Sequence, residues 1–437
     1  MPLHVSQRKS DETMSENPLL SQGVVFPPVG TGDSTTIVID DEHVVQVDLH
    51  HMEQANEEDS KYTSVVAFLK ECLPRRNGHS YLAVFALTHA DEDHCQGFGT
   101  LLDSDILIGE LWATPRLWRE YAEDETEPCE DARRFHDEAE RRVQASLEHI
   151  RAGREVPSGD RVRVIGYDTD LDDTNHPYRD LPDEQKSFPG QFVTTVDGVD
   201  VSDRFEAFIH APFKDDCAAA RNDTSLAMQV TLKNGDTTGR VLLLGDLAYP
   251  TLQRIFNQTK DPDRVAWDVL LAPHHCSRKV MYAPNEQGEE ELKQDIINAF
   301  ESSRGERAYI IASSEPIPRS NQPGDNPPHA KAKARYRELE IEDFLCTQEY
   351  GDTNHPVPIV FALIPGVGLE LQPAEAEETA SLEKTILFGI AAVATGLAAA
   401  KVGGKVGGIL RAAIKRARGA DAAPTKPVGF GRHKHQG

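Results

Sequence analysis

Tyr81-Leu-Ala-Val-Phe-Ala-Leu87 is a continuous apolar run, and Thr88-His89-Ala90-Asp91-Glu92-Asp93-His94 follows it directly. An apolar run of this length between polar segments predicts a buried strand of a two-layer α/β fold. The end of a buried strand fixes the base of the next loop, which leaves the loop able to surround an ion. Imidazole and carboxylate ligands together suit zinc, manganese or iron. The sequence therefore predicts a metal site with four ligands within six residues: His89, Asp91, Asp93 and His94.

An exposed acidic loop with two incidental histidines is the alternative interpretation of this segment. The density of ligands and the adjacent apolar strand argue against it. Other residues of ligand type are expected at the surface: Glu92, His43, His50, His51, His433 and His435.

The composition is that of a globular enzyme, with 39% hydrophobic and 27% charged residues among 437. The formal net charge of −26 argues against broad attraction to a nucleic-acid backbone, which needs neutralising lysines and arginines. Any contact with nucleic acid is expected to be local or to pass through bound metal ions. Six cysteines without CxxC pairs predict reduced thiols. No basic run leads into an apolar stretch at the N-terminus, so we expect a cytoplasmic protein.

Strands in two groups, interleaved with helices, predict an α/β fold of the αββα sandwich type. We expect one hydrolase domain over residues 21–372, in which Ile359–Leu363 and Gly368–Leu371 close the second sheet. Within it, a surface insertion at about 113–190 is expected to combine exposed charged helices with a long loop. The flanking segments are predicted as a disordered N-terminus over 1–20, an acidic linker over 373–384 and a tail over 385–437.

The tail is apolar and then basic, and it begins with an uncharged segment, Thr385–Ala400. That segment is shorter than the roughly 20 residues of a membrane-spanning helix. From Thr385 onward there are nine lysines and arginines against one aspartate, so the rest of the chain carries −26 − 8 = −34. A helix in this tail could bind a membrane surface through residues 385–420, or dock onto a protein partner or the acidic body, or stay disordered.

The pattern His-x-Asp-x-Asp-His resembles the metallo-β-lactamase signature His-x-His-x-Asp-His, with Asp91 in place of the second histidine. The pattern with this replacement resembles that of the hydrolase domain of ComEC-type DNA-uptake proteins. The resemblance covers roughly residues 24–372 apart from 113–190, and it implies a four-layer αββα sandwich with one or two divalent ions. Further segments resemble the family in the same order: Val29-Gly-Thr-Gly-Asp33, Gln46-Val-Asp48, Asn222-Asp-Thr-Ser225-Leu226, Leu242-Leu-Leu-Gly245-Asp246, Ala272-Pro-His274-His275-Cys276-Ser277 and Asn326-Pro-Pro-His329.

The resemblance assigns roles to these residues. Asp93, His94 and one of His274 and His275 would bind one ion, and His89 with Asp91 would bind the other. Asp246 would bridge the two ions, although it could instead be a turn residue. If the loop is extended, one of the two adjacent histidines must face away from the metal. Catalytic roles are expected for Asp93, His275 and His329. His329 would donate a proton or bind phosphate, and the alternative is that it is a plain surface residue. Substrate contacts are expected for Asn222, Ser225 and Ser277.

The chain departs from the superfamily at two positions. His210 occupies the interval where a third histidine ligand usually lies, but an ordinary strand-end histidine is the favoured interpretation. Without it, occupancy by one metal becomes possible, and the carboxylate-rich set favours Mn²⁺ over Zn²⁺. Cys276 replaces a glycine of the family, and a buried inert thiol is favoured over a ligand or an oxidisable one.

These observations predict a metal-dependent phosphodiesterase or nuclease that uses metal-activated water. Its expected substrate is a phosphodiester, either single-stranded nucleic acid or a small nucleotide, because the acidic body disfavours long DNA. Ester, lactone or thioester hydrolysis at the same site is an alternative. A binding or membrane-associated protein with a regulatory hydrolase domain is another, and the tail is its main support.

Overall fold

The computed structural model describes residues 21–119, 127–166, 176–214 and 222–374, and these form a mixed α/β protein. The predicted N-terminal segment 1–20, most of the linker 373–384 and the whole tail 385–437 lie outside the described residues. The seven helices within the described ranges are α1 Val65–Cys72, α2 Glu92–Cys95, α3 Phe98–Asp103, α4 Glu130–Arg151, α5 Tyr249–Gln258, α6 Gln294–Ser303 and α7 Ala330–Tyr336.

The strands of the N-terminal half and of the C-terminal half are named in chain order. The first group comprises β1 Gly23–Phe26, β2 Thr35–Val38, β3 Val44–Val47, β4 Arg75–Arg76, β5 His79–Ala86, β6 Leu107–Ala113, β7 Arg161–Ile165, β8 Lys186–Ser187, β9 Phe192–Val193, β10 Thr195–Val196 and β11 Val199–Asp200. The second comprises β12 Phe205–Ala211, β13 Ala227–Asn234, β14 Thr237–Leu243, β15 Trp267–Leu271, β16 Tyr282–Pro284, β17 Glu290–Leu292, β18 Arg304–Ala312, β19 Asp343–Cys346, β20 Ile359–Ile364 and β21 Gly368–Leu371.

Most of the described strands belong to two large sheets. The first has the order β21-β20-β1-β2-β3-β5-β6-β7-β8, with β4 paired to β5, and the second has the order β19-β18-β15-β14-β13-β12-β9. The prediction that Ile359–Leu363 and Gly368–Leu371 close the second sheet is wrong. β20 pairs with β1 in the first sheet, with Phe26 opposite Ile359. All residues of β20 except the last are buried. A strand of this kind needs a position in a sheet that is covered on both faces, and the position beside β1 provides one.

Three apolar clusters show how the sheets are covered. The middle cluster contains residues from both sheets, such as Val84 of β5 and Val230 of β13. One outer cluster packs α1, α3 and α4 on the first sheet. The other packs α5, α6 and α7 on the second sheet through residues such as Leu252, Phe300 and Tyr336. This distribution is compatible with an α/β sandwich. Because both faces of β5 are covered, its sequence is a nearly continuous apolar run.

Helix α4 corrects the prediction that the 113–190 insertion is surface decoration. Four of its residues at four-residue spacing are buried: Phe135, Ala139, Val143 and Leu147. The ring centroid of Phe135 lies 4.9 Å from that of Phe98 and 5.9 Å from that of Phe85. These apolar positions at helical spacing are visible in the sequence, but the high average charge of the segment favoured an exposed helix over a packed one. The long loop predicted within this insertion is also interrupted, because β8 extends the first sheet by pairing with β7.

None of the helices in the described ranges is long and apolar enough to cross a membrane.

We expect Phe135→Ala to lower the free energy of unfolding by about 3–5 kcal/mol, because the change opens a cavity between α4 and the first sheet. The matched control is Ile150→Ala on the same helix, where the side chain is 37% exposed and the expected change is below about 0.5 kcal/mol. Urea unfolding followed by circular dichroism measures both. Equally small changes in the free energy of unfolding of both variants would show that α4 is a surface helix that does not contribute to the core.

Candidate metal centre

The candidate site lies where parallel strands of both sheets end. In the first sheet β3 runs parallel to β5, and in the second β14 runs parallel to β15. Asp48 follows β3, His89 follows β5, Asp246 follows β14 and His274 follows β15. Because the carboxyl ends of parallel strands meet at one edge, each sheet delivers two such loops together, which is where α/β folds commonly place ligands.

Hydrogen bonds between loops join the two sheets at this edge. The Leu226 N–H, just before β13, donates to the Thr88 carbonyl after β5 at 2.9 Å. The Ser313 hydroxyl, after β18, donates to the Gly32 carbonyl at 2.6 Å. Between two segments that connect strands of the first sheet, the Asp33 N–H donates to the Asp93 carbonyl at 3.0 Å. The predicted ligand loops are therefore held against one another by the backbone.

Four buried residues, Asp33, His94, Asp246 and His275, lie close enough to hold a metal ion. They offer one ligand atom each, and these atoms all lie within 4.8 Å of one another. His94 Nε2 is 3.1 Å from Asp246 Oδ1 and 3.2 Å from His275 Nε2. His275 Nε2 is 3.5 Å from the same Asp246 oxygen. Tetrahedral ligands about 2.1 Å from zinc lie about 3.4 Å apart, so these spacings suit a single ion.

Unpaired atoms support the fit to a cation. Among the described residues, Asp246 Oδ1 and His89 Nε2 are buried and have no hydrogen bond of acceptable geometry. Buried polar atoms are nearly always paired, and an unpaired one costs about 1–3 kcal/mol. A divalent ion would satisfy the carboxylate oxygens and the Nε2 atoms that converge on it.

Two histidines are oriented in the same way. Asp48 Oδ2 lies 2.8 Å from His94 Nδ1, and Asp33 Oδ1 lies 3.2 Å from His275 Nδ1. Each histidine therefore has a carboxylate on its Nδ1 side and presents Nε2 towards Asp246. Partners of this kind fix the tautomer and the ring orientation of metal-binding histidines.

His89 follows the same pattern on the other side of Asp246. Its Nδ1 lies 3.1 Å from Thr88 Oγ1 and 3.3 Å from Ser225 Oγ. Its Nε2 lies 3.8 Å from Asp246 Oδ2 and 3.7 Å from Asp91 Oδ2. One oxygen of the Asp246 carboxylate thus faces His94 and the other faces His89.

The turn of residues 274–276 differs from the extended loop considered above. His274, His275 and Cys276 all have positive φ angles, of 51°, 53° and 66°. Left-handed backbone is costly for residues other than glycine, and three in succession require support from the surrounding structure. Because the turn is tight, neither histidine faces away: His275 Nε2 approaches Asp246 Oδ1, and His274 Nε2 lies 3.5 Å from Asp246 Oδ2.

The electrostatics are those of tightly coupled buried charges. Burial opposes the charged forms of His94 and His275, but the Asp246 carboxylate raises the pKa of both well above the ordinary value. Burial would raise the pKa of the Asp246 carboxyl, yet the neighbouring histidines hold it well below its usual range. Burial lowers the pKa of His89 to about 4.

Asp93 links the site to solvent. Its side chain is 37% exposed, and Oδ2 lies 3.2 Å from His275 Nε2. Burial would raise the pKa of this carboxyl, but the hydrogen bond and charge of His275 hold it well below its usual range. Asp93, His50, Asp91, Glu92 and Glu127 line an open cleft of about 670 Å³ at the mouth of the site.

Asn222 and Ser225, predicted to contact substrate, support the ligands instead. Asn222 Nδ2 donates to Asp246 Oδ2 at 3.2 Å. The buried Ser225 hydroxyl donates to the Asn222 carbonyl at 2.7 Å and accepts the Asp246 N–H at 3.3 Å. Ser277 is buried as well, and its Oγ accepts the Lys279 N–H at 3.3 Å, so it caps a turn.

Two of the predicted histidines do not reach the cluster. His210 Nε2 donates to the Arg264 carbonyl at 2.9 Å, and its ring packs against Phe208, so the interpretation as a metal ligand is wrong. His329 Nδ1 accepts the Arg278 N–H at 3.3 Å, and its Nε2 donates to the Asp325 carbonyl at 3.1 Å. Backbone groups use both of its nitrogens, which leaves no free atom for the predicted proton donor.

Sequence reasoning missed two carboxylates and misplaced three histidines. Asp48 accepts the Thr88 N–H at 2.7 Å besides orienting His94, and its position at a strand end was the available signal. Asp33 was quoted only as part of a motif. The histidines expected at the surface are buried: His43, His50 and His51.

His50 lies beside the site because Gly32 permits a close approach. A Cβ atom on Gly32 would lie 2.2 Å from His50 Nδ1. Burial lowers the pKa of His50 to about 4. Cys276 is fully buried, and burial raises the pKa of its thiol.

We expect His275→Ala to weaken the binding of the tightest zinc ion by more than about 100-fold, since it removes a central nitrogen rather than an outer partner. His274→Ala changes the adjacent residue on the same turn, and it should weaken the binding of that zinc ion by less than about tenfold. Competition with a chromophoric chelator measures both affinities. Equal losses, or a larger loss for His274→Ala, would reverse the assignment.

A second prediction concerns the orientation of His94. Asp48→Asn should lower zinc affinity about 10–100-fold, because the amide supports His94 Nδ1 less well than the carboxylate does. Asp268→Asn is the matched control, since Asp268 lies near the start of β15, at the opposite end of that strand from His274, and accepts a backbone N–H from Arg240. That variant should keep the zinc affinity of the unmodified chain. An unchanged affinity in Asp48→Asn would remove this carboxylate from the site.

Comparison with known proteins identifies no relative. No protein-family model matches the chain, and no curated protein does. The interpretation of the site therefore depends on the geometry and chemistry of its residues.

Proposed function

We propose that this chain is a metal-dependent hydrolase of phosphodiesters, a phosphodiesterase or nuclease. One observation carries the proposal: the buried Asp246 carboxylate faces His94 and His275 with one oxygen and His89 and His274 with the other. A carboxylate divided in this way suits a site for one or two divalent ions, and paired ions are typical of enzymes that cleave phosphate esters.

We propose the four-layer sandwich of the metallo-β-lactamase type as the finer description of the fold. In that arrangement α1, α3 and α4 form one outer layer, and α5, α6 and α7 form the other. Support comes from the three apolar clusters, the middle one of which draws on strands of both sheets.

The ligand set favours zinc or manganese. Imidazole nitrogens suit zinc, whereas several carboxylates also suit manganese. His94, His275 and Asp246, with Asp93 beside them, would hold the first ion. His89, Asp91 and His274 would share Asp246 with a second one.

A divalent ion held there lowers the pKa of a bound water towards neutrality and supplies positive charge to an oxygen of the substrate. The residues of the chain supply the positioning. Asp48 and Asp33 fix the rings of His94 and His275. Asn222 holds Asp246 Oδ2. Asp93, at the mouth, is placed to accept a hydrogen bond from incoming water.

The substrate is proposed to be single-stranded nucleic acid or a small nucleotide. The cleft of about 670 Å³ has the volume of a small-ligand site. Its rim carries Glu92 and Glu127 besides the ligands Asp91 and Asp93, so it offers no cationic track for a long duplex. Recognition would then depend on the ions themselves.

The double substitution Asp93→Asn with His94→Ala should reduce hydrolysis of bis-p-nitrophenyl phosphate and of single-stranded DNA to background, because it removes two groups around the first ion. Turnover is measured with Mn²⁺ and with Zn²⁺ after metal-free purification, and circular dichroism checks folding. Glu148→Gln, an exposed change on α4, is the control and should retain full activity. Undiminished turnover in the double variant would overturn the site, and cleavage of carboxylic esters alone would overturn the phosphodiester assignment.

A further inference from the structure

Two cysteine thiols lie against each other next to the candidate metal centre. Cys95 directly follows His94 at the end of α2, and Cys129 immediately precedes α4. Their Sγ atoms are 3.5 Å apart, and both cysteines are free. No part of the proposed hydrolytic function uses this pair.

Cys129 has the environment of a reactive thiol. Its Sγ accepts the Ala132 N–H at 3.4 Å and so caps the 22-residue helix α4. A helix N-terminus stabilises a thiolate. The hydrogen bond from Cys95 lowers the pKa of the Cys129 thiol to about 6. Cys129 is partly exposed and lines the same cleft as Asp91 and Asp93.

Cys95 has the environment of a resolving thiol. It is completely buried in the apolar cluster beneath the first sheet. Oxidants in solution therefore reach Cys129 first, and Cys95 can react only with a partner that is already in contact with it.

The two segments are held together by another residue. The Asp131 carboxylate, in the first turn of α4, accepts the Gly97 N–H at 2.8 Å and the Gly99 N–H at 2.7 Å. These two hydrogen bonds hold the start of α4 against the chain just after Cys95. The thiols are therefore brought together by the fold and need no large movement to react.

We propose that Cys95 and Cys129 are an oxidation site that forms a reversible disulfide with peroxides and thereby weakens the adjacent metal centre. The Cys129 thiolate attacks one oxygen of hydrogen peroxide, and the O–O bond breaks to give a sulfenic acid on Cys129 and hydroxide. The hydroxide takes up the proton that the Cys129 thiol released, and it leaves as water. The Cys95 sulfur then attacks Cys129 Sγ, the S–O bond breaks, and the Cys95 proton leaves with the hydroxide as water. Two thiols and one peroxide give one disulfide and two waters, and a dithiol reductant reverses the reaction.

The expected effect on the metal centre follows from the positions of the two segments. A disulfide bond is about 2.05 Å long, so the sulfurs must approach by about 1.5 Å. Helix α4 is anchored by Phe135 and its buried face, whereas α2 is a single turn that carries Asp93 and His94. The displacement therefore falls mainly on α2. This second step rests on the proposed metal site, while formation of the disulfide does not.

The full chain, reduced and purified, is treated with hydrogen peroxide, alkylated and digested with trypsin. Cleavage after Arg76 and Arg116 releases Cys95, and cleavage after Arg119 and Arg133 releases Cys129, so a disulfide joins two distinct peptides. We expect the joined pair by mass spectrometry, its loss on treatment with dithiothreitol, and its absence in Cys129→Ser. Cys346→Ser, a change at a buried thiol elsewhere, should retain it. Oxidation of Cys129 to sulfinic acid without the joined pair, or no reaction at either cysteine, would overturn the proposal.

Zinc affinity is measured on the same samples by chelator competition. The oxidised chain should bind zinc at least about tenfold more weakly than the reduced chain, and Cys129→Ser should show no change on treatment with peroxide. An unchanged affinity in the oxidised chain would overturn the coupling to the metal centre. If the reduced chain binds no zinc or manganese, the proposed function fails, and the peptide assay still decides whether the disulfide forms.

Discussion

Asp246 is a fully buried carboxylate surrounded by four imidazole rings, and the rest of the site follows from that constraint. A buried charge is stable only if it is paired and hydrogen-bonded, since its transfer from water costs several kcal/mol. The Asn222 amide, which donates to Asp246 Oδ2, satisfies part of this requirement. The imidazole rings of His94 and His275 lie beside Asp246 Oδ1 and satisfy another part, or an ion held between them would do so in their place. The fold therefore maintains a cluster of charges that is poised for a divalent ion.

Backbone geometry places these groups with little freedom. Parallel strands of each sheet end at one edge, and hydrogen bonds such as that from Leu226 to Thr88 lock the loops of the two sheets together. The left-handed turn at 274–276 points both histidines at the same carboxylate. The price is conformational strain at three consecutive residues, which is a common feature of functional sites. Rigid outer partners, Asp48 and Asp33, complete the arrangement.

The sequence was sufficient to predict a mixed α/β fold and a cluster of histidines and carboxylates drawn from separate loops. The apolar run before His89 and the strand end before Asp246 carried that information, because burial and strand termini leave a pattern in composition. It could not decide between His274 and His275, since the positive φ angles of their turn are set by tertiary contacts. Nor could local pattern show that His210 and His329 would be used by the Arg264 and Asp325 carbonyls. Helix α4 was misjudged because its charged positions outnumber the single apolar face that packs on Phe85 and Phe98.

The central claim is that cations bind between Asp246 and its histidines. The most direct test is an anomalous diffraction map of crystals grown with Zn²⁺ or Mn²⁺, collected on both sides of the absorption edge of the metal. We predict a peak within about 2.0–2.2 Å of His94 Nε2, His275 Nε2 and an Asp246 oxygen. A map with no peak there, or with metal bound only at the protein surface, would contradict the account.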